Sequence, residues 1–131
     1  MEHALPPLIH GRIVWATVPD PQGRNEKRRR CLLITSNSQI ASGGLLRIVG
    51  ITSELTESPA EHYVRLQHGE RAWSGLREPS AALGTWVIDI SQSLVESTVW
   101  FIRPQHLKAV QDLVIDLEKQ GYPIPCVTIL A

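Results

Sequence analysis

The chain predicts a mainly β domain (α+β overall), a small barrel or sandwich of about five to six strands with one C-terminal helix packed on it. Three observations predict it. The apolar runs are short and rich in Val, Ile and Trp, and turn residues separate them at the intervals of small all-β folds. At residues 85–90, Trp86, Ile88 and Ile90 share one face while Thr85, Val87 and Asp89 share the other, the two-residue period of a strand. Only after Pro104 does the period lengthen, placing Leu107, Val110, Leu113, Val114 and Leu117 on one helical stripe.

The elements follow in order. Residues 1–10, with Pro6-Pro7, read as a loose arm. A first strand over residues 11–18 stops at Pro19-Asp20-Pro21-Gln22-Gly23, where proline presets φ and glycine accepts a positive one. A second strand, 29–36, emerges from Lys27-Arg28-Arg29-Arg30 into Cys31-Leu32-Leu33-Ile34. Gly43-Gly44 turns the chain into a third strand, 45–52, and further strands are expected at 61–66, 85–90 and 98–102. The helix starts at Pro104, whose missing N–H costs nothing in a first turn, and Gly121 ends it. Tyr122-Pro123-Ile124-Pro125 cannot continue a helix, so residues 122–131 form an extension in which Cys126 to Leu130 make either a short edge strand or a dimer contact. With no repeat or low-complexity stretch, residues 1–131 read as a single domain.

Thirteen Lys and Arg balance 13 Asp and Glu, so no global positive field gathers nucleic acid, and any such site must be a local patch. The arginines crowd the first half (Arg12, Arg24, Arg28, Arg29, Arg30, Arg47) and Asp112, Asp116 and Glu118 lie near the end, a polarity that favours one basic face. Cys31 and Cys126 lack the nearby Cys or His partners of a zinc site, and both are expected to be reduced and structural. There is no bilayer-length apolar run, and the opening residues lack a signal-peptide pattern, so a cytoplasmic protein with no membrane partner is expected.

The five histidines are scattered without His-x-His or HExxH spacing, so no metal and no cofactor is expected; His62 and His68, flanking a strand and its turn, are more often surface residues than an acid/base pair. Gly-x-Ser-x-Gly is absent, and Gly43-Gly44 lacks the Lys-Ser/Thr of a phosphate loop. What remains is the arginine cluster and Thr52 at the end of an apolar run. Guanidinium groups stay charged and match phosphate oxygens, and RNA carries its own nucleophile in the 2′-hydroxyl, so Arg and Thr suffice for much of a metal-free phosphoryl transfer. Taken alone, the cluster reads more readily as a solvated loop and strand start. Trp15 and Trp86 fall in apolar strands and are expected in the core, Trp73 in a loop is a candidate for stacking on an unpaired base, and Glu26 is expected to pair with Arg24 or Lys27.

The combination Gly11-x-Ile13-Val14-Trp15-Ala16, Pro19-Asp20-Pro21-x-Gly23 and Lys27-x-Arg29-x-Cys31-Leu32-Leu33-Ile34 resembles the opening of MazF/PemK-family toxins. Val49-Gly50-Ile51-Thr52-Ser53 is similar to that family's third-strand ending, and the segment from Ser74 to Ala82 to its Thr-Gly-Leu-Lys-x-x-Ser/Cys-Ala stretch. The resemblance implies an SH3-like barrel with a C-terminal helix. It implies a homodimer acting as a metal-independent endoribonuclease on single-stranded RNA, neutralised by a cognate antitoxin protein. Carried over by position, Arg29 would stabilise the phosphorane and donate a proton to the leaving oxygen, and Thr52 would bind the scissile phosphate or orient the 2′-hydroxyl; outside that carry-over, Arg28, Arg30 and the loop residue Trp73 are the candidate RNA contacts, with Arg28 the catalytic member if the register is shifted. Where the family commonly has Arg-Pro, this chain has Arg29-Arg30. The alternative is a relative on the same barrel with weak or no chemistry, binding RNA or a protein.

Overall fold

The structure, a computed structural model, describes residues 6–124 and 127–131. Strand β1 (Arg12–Val18) returns through the loop at 19–26 as β2 (Lys27–Leu33), antiparallel, with Ala16 opposite Arg29 and Trp15 opposite Arg30. A short helix α1 (Asn37–Ala41) leads to β3 (Leu46–Thr52), which pairs with β2 so that Gly50 faces Cys31. After two single 3-10 turns come β4 (Tyr63–Leu66) and the long β5 (Ser80–Ile90), then β6 (Val95–Phe101), helix α2 (Pro104–Lys119) and β7 (Val127–Ile129). The sheet runs β4-β5-β3-β2-β1-β6, with β7 beside β5. Strongly curled, it has a barrel-like form, and the one long helix lies where the sequence puts it.

Two apolar layers sandwich this sheet. Because neighbouring strand residues point to opposite faces, Ile13, Leu32 and Val49 join Leu107, Val110 and Val114 of α2 on one side. Val14, Cys31, Leu33, Ile48 and Trp86 fill the inside of the curl on the other. Cys31 is fully buried there, and desolvation pushes its thiol up to about 12, which leaves it unreactive. Cys126 lies outside the described residues.

Several boundaries differ from the sequence expectation, each for a tertiary reason. The second strand begins at Lys27, because its charged residues pair with Val18, Thr17 and Ala16, and it stops at Leu33, because Ser36 caps α1 by accepting the Gln39 N–H. The fifth begins at Ser80, not 85. Ala81 and Ala82 are weak strand formers, but β4 pairs on one side and β3 on the other, leaving room only for small side chains. The 61–66 strand shortens to Tyr63–Leu66 behind a 3-10 turn at Ala60–His62, and the 98–102 strand shifts to Val95–Phe101. Of the expected loose arm, residues 6–10 are docked: the Pro7 carbonyl accepts from Ser97 Oγ at 3.2 Å and Leu8 packs on the inner layer. The C-terminal segment resolves as an edge strand, β7 running parallel to β5 with Val127 beside Ile88.

Helix α2 carries Pro104 in its first turn and buries Leu107, Val110, Val114 and Leu117. Gly121 at φ 72° ends it, with Tyr122 N–H donating to the Leu117 carbonyl at 3.0 Å, a left-handed cap open to glycine. At Gly84 a β-carbon would stand 2.8 Å from Leu113, so the helix approaches β5 only because that side chain is missing.

Candidate active site

Alternation along β2 sends its arginines to opposite faces. Arg29 shares the Cys31 face, inside the curl, whereas Arg28 and Arg30 share the Leu32 face. Arg30 therefore places its charge on the side of the strand away from Arg29, while its backbone keeps regular pairing with Trp15.

Arg29 is held at three points. Its Nε donates to the Val18 carbonyl at 3.2 Å, its Nη2 donates to the Asn25 carbonyl at 2.7 Å, and its guanidinium lies 5.6 Å from the centre of the Trp86 ring. Trp86 is in turn buried and donates its indole N–H to the Pro19 carbonyl at 3.1 Å. Its ring lies flat over Gly50, where a β-carbon would come within 2.1 Å of ring carbons. Only glycine at this point of β3 permits the platform beneath Arg29.

The loop that supplies Asn25 is tied by one carboxylate. Asp20 accepts from Gln22 N–H at 3.0 Å, Arg24 N–H at 2.8 Å and Asn25 Nδ2 at 3.1 Å. These bonds, that from Arg24 foremost, hold the Asp20 carboxyl below the usual carboxylate range. Asn25 itself sits at φ 53°, a left-handed conformation that asparagine tolerates better than most residues.

Thr52 ends β3, and its Oγ1 accepts the Glu54 N–H at 3.0 Å, which leaves the hydroxyl proton for a ligand. Arg29 and Thr52, far apart in sequence, line one cleft of about 750 Å³. Trp86 and Leu83 line it as well, with the carboxylates of Asp20, Glu26, Glu54 and Glu57 around them. The Glu57 carboxyl is raised above its ordinary range, mainly by a hydrogen bond with Glu54 and also by that group's charge. Contrary to expectation, Glu26 makes no ion pair with Arg24 or Lys27 among the described residues and instead lines the cleft.

On the opposite face of β2 is a second cavity of about 470 Å³ lined by Trp15, Arg28, Arg30 and Arg77. Trp15 is half-buried, not core: the Arg28 guanidinium lies 4.5 Å and that of Arg30 5.1 Å from its ring centre. Arg28 also pairs with Glu96, and Arg30 Nη1 reaches the Gly75 carbonyl at 3.4 Å. Trp73, 61 % exposed, lines neither cavity and rests on the Phe101 ring at 5.4 Å. His62 packs edge-on against Tyr122, and neither it nor His68 lines the cleft. Among the described residues no three His, Cys, Asp or Glu side chains converge as a metal-ligand set, and no helix is long and apolar enough to cross a membrane.

The sequence reading missed Trp86 as a platform, Gly50 as its seat, Asp20 and Asn25 as the holders of Arg29, and the Glu54–Glu57 pair. The one sequence signal for them was the Pro-Asp-Pro-x-Gly turn, which marks a constrained loop without saying what it grips.

Comparison with known proteins agrees with this architecture. The chain is similar in fold to MazF from Deinococcus radiodurans (TM-score 0.64, 18% identity, covering 89% of this chain and 99% of that one). It is also similar to the MazE–MazF complex of the same organism (TM-score 0.62, 17% identity, 88% and 97% covered). A third likeness is to a mycobacterial endoribonuclease in complex with its cognate antitoxin (TM-score 0.62, 10% identity, 91% and 100% covered). A search of curated protein sequences finds no match. The family model for PemK-like, MazF-like toxins of type II toxin–antitoxin systems matches residues 9–117, which include the whole lining of both cavities, and the chain belongs to that family.

Proposed function

We propose that the protein is the toxin of a type II pair and a metal-independent endoribonuclease that cleaves single-stranded RNA through the RNA's own 2′-hydroxyl. The observation that carries this is the meeting of Arg29 and Thr52 in one cleft, with an anchored guanidinium on one side and a free hydroxyl proton on the other. In the step, the 2′-oxygen attacks phosphorus, a 2′-oxygen–phosphorus bond forms and the bond to the 5′-oxygen breaks, leaving a cyclic phosphate and a 5′-hydroxyl. Arg29 stabilises the charge that builds on the equatorial oxygens, and Thr52 donates to one of them. A guanidinium does not give up its proton, so the proton transfers are assigned to carboxyl groups that line the same cleft, Glu54 and Glu57 among them: an ionised one accepts the 2′-hydroxyl proton and a protonated one supplies the departing 5′-oxygen.

Purified protein is expected to cut single-stranded RNA in excess chelator, and Arg29→Ala to abolish cutting with an unchanged circular dichroism spectrum. A magnesium requirement overturns the mechanism. RNA that is bound and never cut supports instead a binding module, for which the basic Trp15 cavity is the supporting observation. Two of the structural neighbours are complexes with antitoxins, which supports a cognate antitoxin here. An acidic, disordered segment folding over the basic face is the physically apt neutraliser.

A further inference from the structure

The two cavities divide the charge unequally. The cleft sets Asp20, Glu26, Glu54 and Glu57 against Lys27 and Arg29, so acidic residues outnumber basic ones around the catalytic guanidinium. The neighbouring cavity sets Lys27, Arg28, Arg29, Arg30 and Arg77 against Glu78. The two adjoin, since both are lined by Lys27, Arg29, Ile51 and Ser53. An RNA strand whose scissile phosphate reaches Arg29 is therefore held chiefly by what lies next door.

We propose that the Trp15 cavity is a separate phosphate clamp, in which Arg28, Arg30 and Arg77 grip a phosphodiester adjacent to the scissile one and Trp15 acts as the holder of the first two arginines. The proposal rests on the RNA-cleaving reading of the cleft and names a site which that reading does not need. Trp15 is not a base-stacking surface here, because two guanidinium groups already lie over its ring. Their role there is ordering: a guanidinium stacked on indole keeps its in-plane N–H groups free for phosphate oxygens while losing less rotamer freedom on binding. The Gly75 carbonyl fixes Arg30 further, and Gly75 stands at φ 71° against the Trp100 ring, with no room for a β-carbon. Glu96, the ion-pair partner of Arg28, competes with a phosphate for that guanidinium.

The test uses a fluorescent 2′-O-methyl oligonucleotide, which lacks the attacking hydroxyl and reports binding alone. Arg28→Gln with Arg30→Gln is expected to weaken binding about tenfold or more and to make the salt dependence shallower by about 1.4 in the log–log slope, two phosphate contacts at about 0.7 each. Trp15→Leu, which changes no charge, is expected to weaken it several-fold. Glu96→Gln is expected to tighten it by more than Asp112→Asn, the same charge change on the far helix. On cleavable RNA the double variant raises KM far more than it lowers kcat. If the double variant leaves affinity and slope at wild-type values, or Glu96→Gln has no more effect than Asp112→Asn, the clamp is wrong while the cleavage reading stands. If the clamp variants behave as expected and wild-type protein never cuts RNA, the cleavage reading fails and the clamp stands. Absence of any oligonucleotide binding by the wild type overturns both.

Discussion

Arg29 and Thr52 were readable only through the family resemblance, since by residue type and position alone an arginine cluster is more often a solvated strand start and Thr a common strand-end residue. What aims Arg29 was not, because Trp86, Gly50 and Asn25 come together only through the pairing of three strands. Gly50→Ala is expected to tilt the indole, cost about 1–3 kcal/mol through overpacking, and lower cleavage by about 100-fold through misplacement of Arg29. Thermal melting and single-turnover kinetics measure the two effects, and wild-type kinetics in this variant would remove the platform from the mechanism. Asp20 makes a different prediction. Folding depresses its pKa, so its bonds to the loop are intact above the ordinary carboxylate range and are lost as pH falls through the depressed value. Amide protection factors in residues 19–26 should therefore fall on acidification below about pH 4 in the wild type, whereas Asp20→Asn, which cannot ionise, should show protection without that pH step.

At the scale of elements, legibility followed periodicity. Helix α2 was visible in its stripe and its proline start, and the strand alternation at 85–90 was visible in the apolar pattern. The front half of β5 was not, because Ala81 and Ala82 have no strand preference of their own and are strand only because β3 and β4 flank them. The C-terminal strand was ambiguous for the same reason: three residues specify nothing until β5 offers an edge. The stripe on α2 is tested by contrast. Leu107, 7% exposed, packs in the outer layer, and Leu107→Ala is expected to cost about 2–4 kcal/mol in denaturant unfolding. Ile115, 47% exposed at the flank of that stripe, should change stability by less than about 0.5 kcal/mol when truncated to Ala. Equal losses at both positions would mean that the helix face is assigned wrongly.

At the scale of the whole molecule, zero net charge hides a division between an acid-rimmed cleft and a basic cavity, which composition alone cannot reveal. It also hides an apolar margin. Among the described residues, β6 ends the sheet with no further strand beside it, and its residues Val99, Trp100 and Phe101 remain exposed. A sheet margin with that much apolar surface is ordinarily covered. We propose a second copy of the chain as the cover, since a two-fold pairing lets one patch satisfy itself and the family resemblance implies a homodimer. Sedimentation should give a dimer at micromolar concentration, and Val99→Glu with Phe101→Glu should shift it to a monomer, because each charge would be buried twice across the axis without a partner. Ile115→Glu, an equal charge change at an exposed apolar residue on α2, should leave the dimer intact. A wild-type monomer, or a dimer that ignores the β6 charges, would reject β6 as the interface, and the second outcome would direct the search to another face.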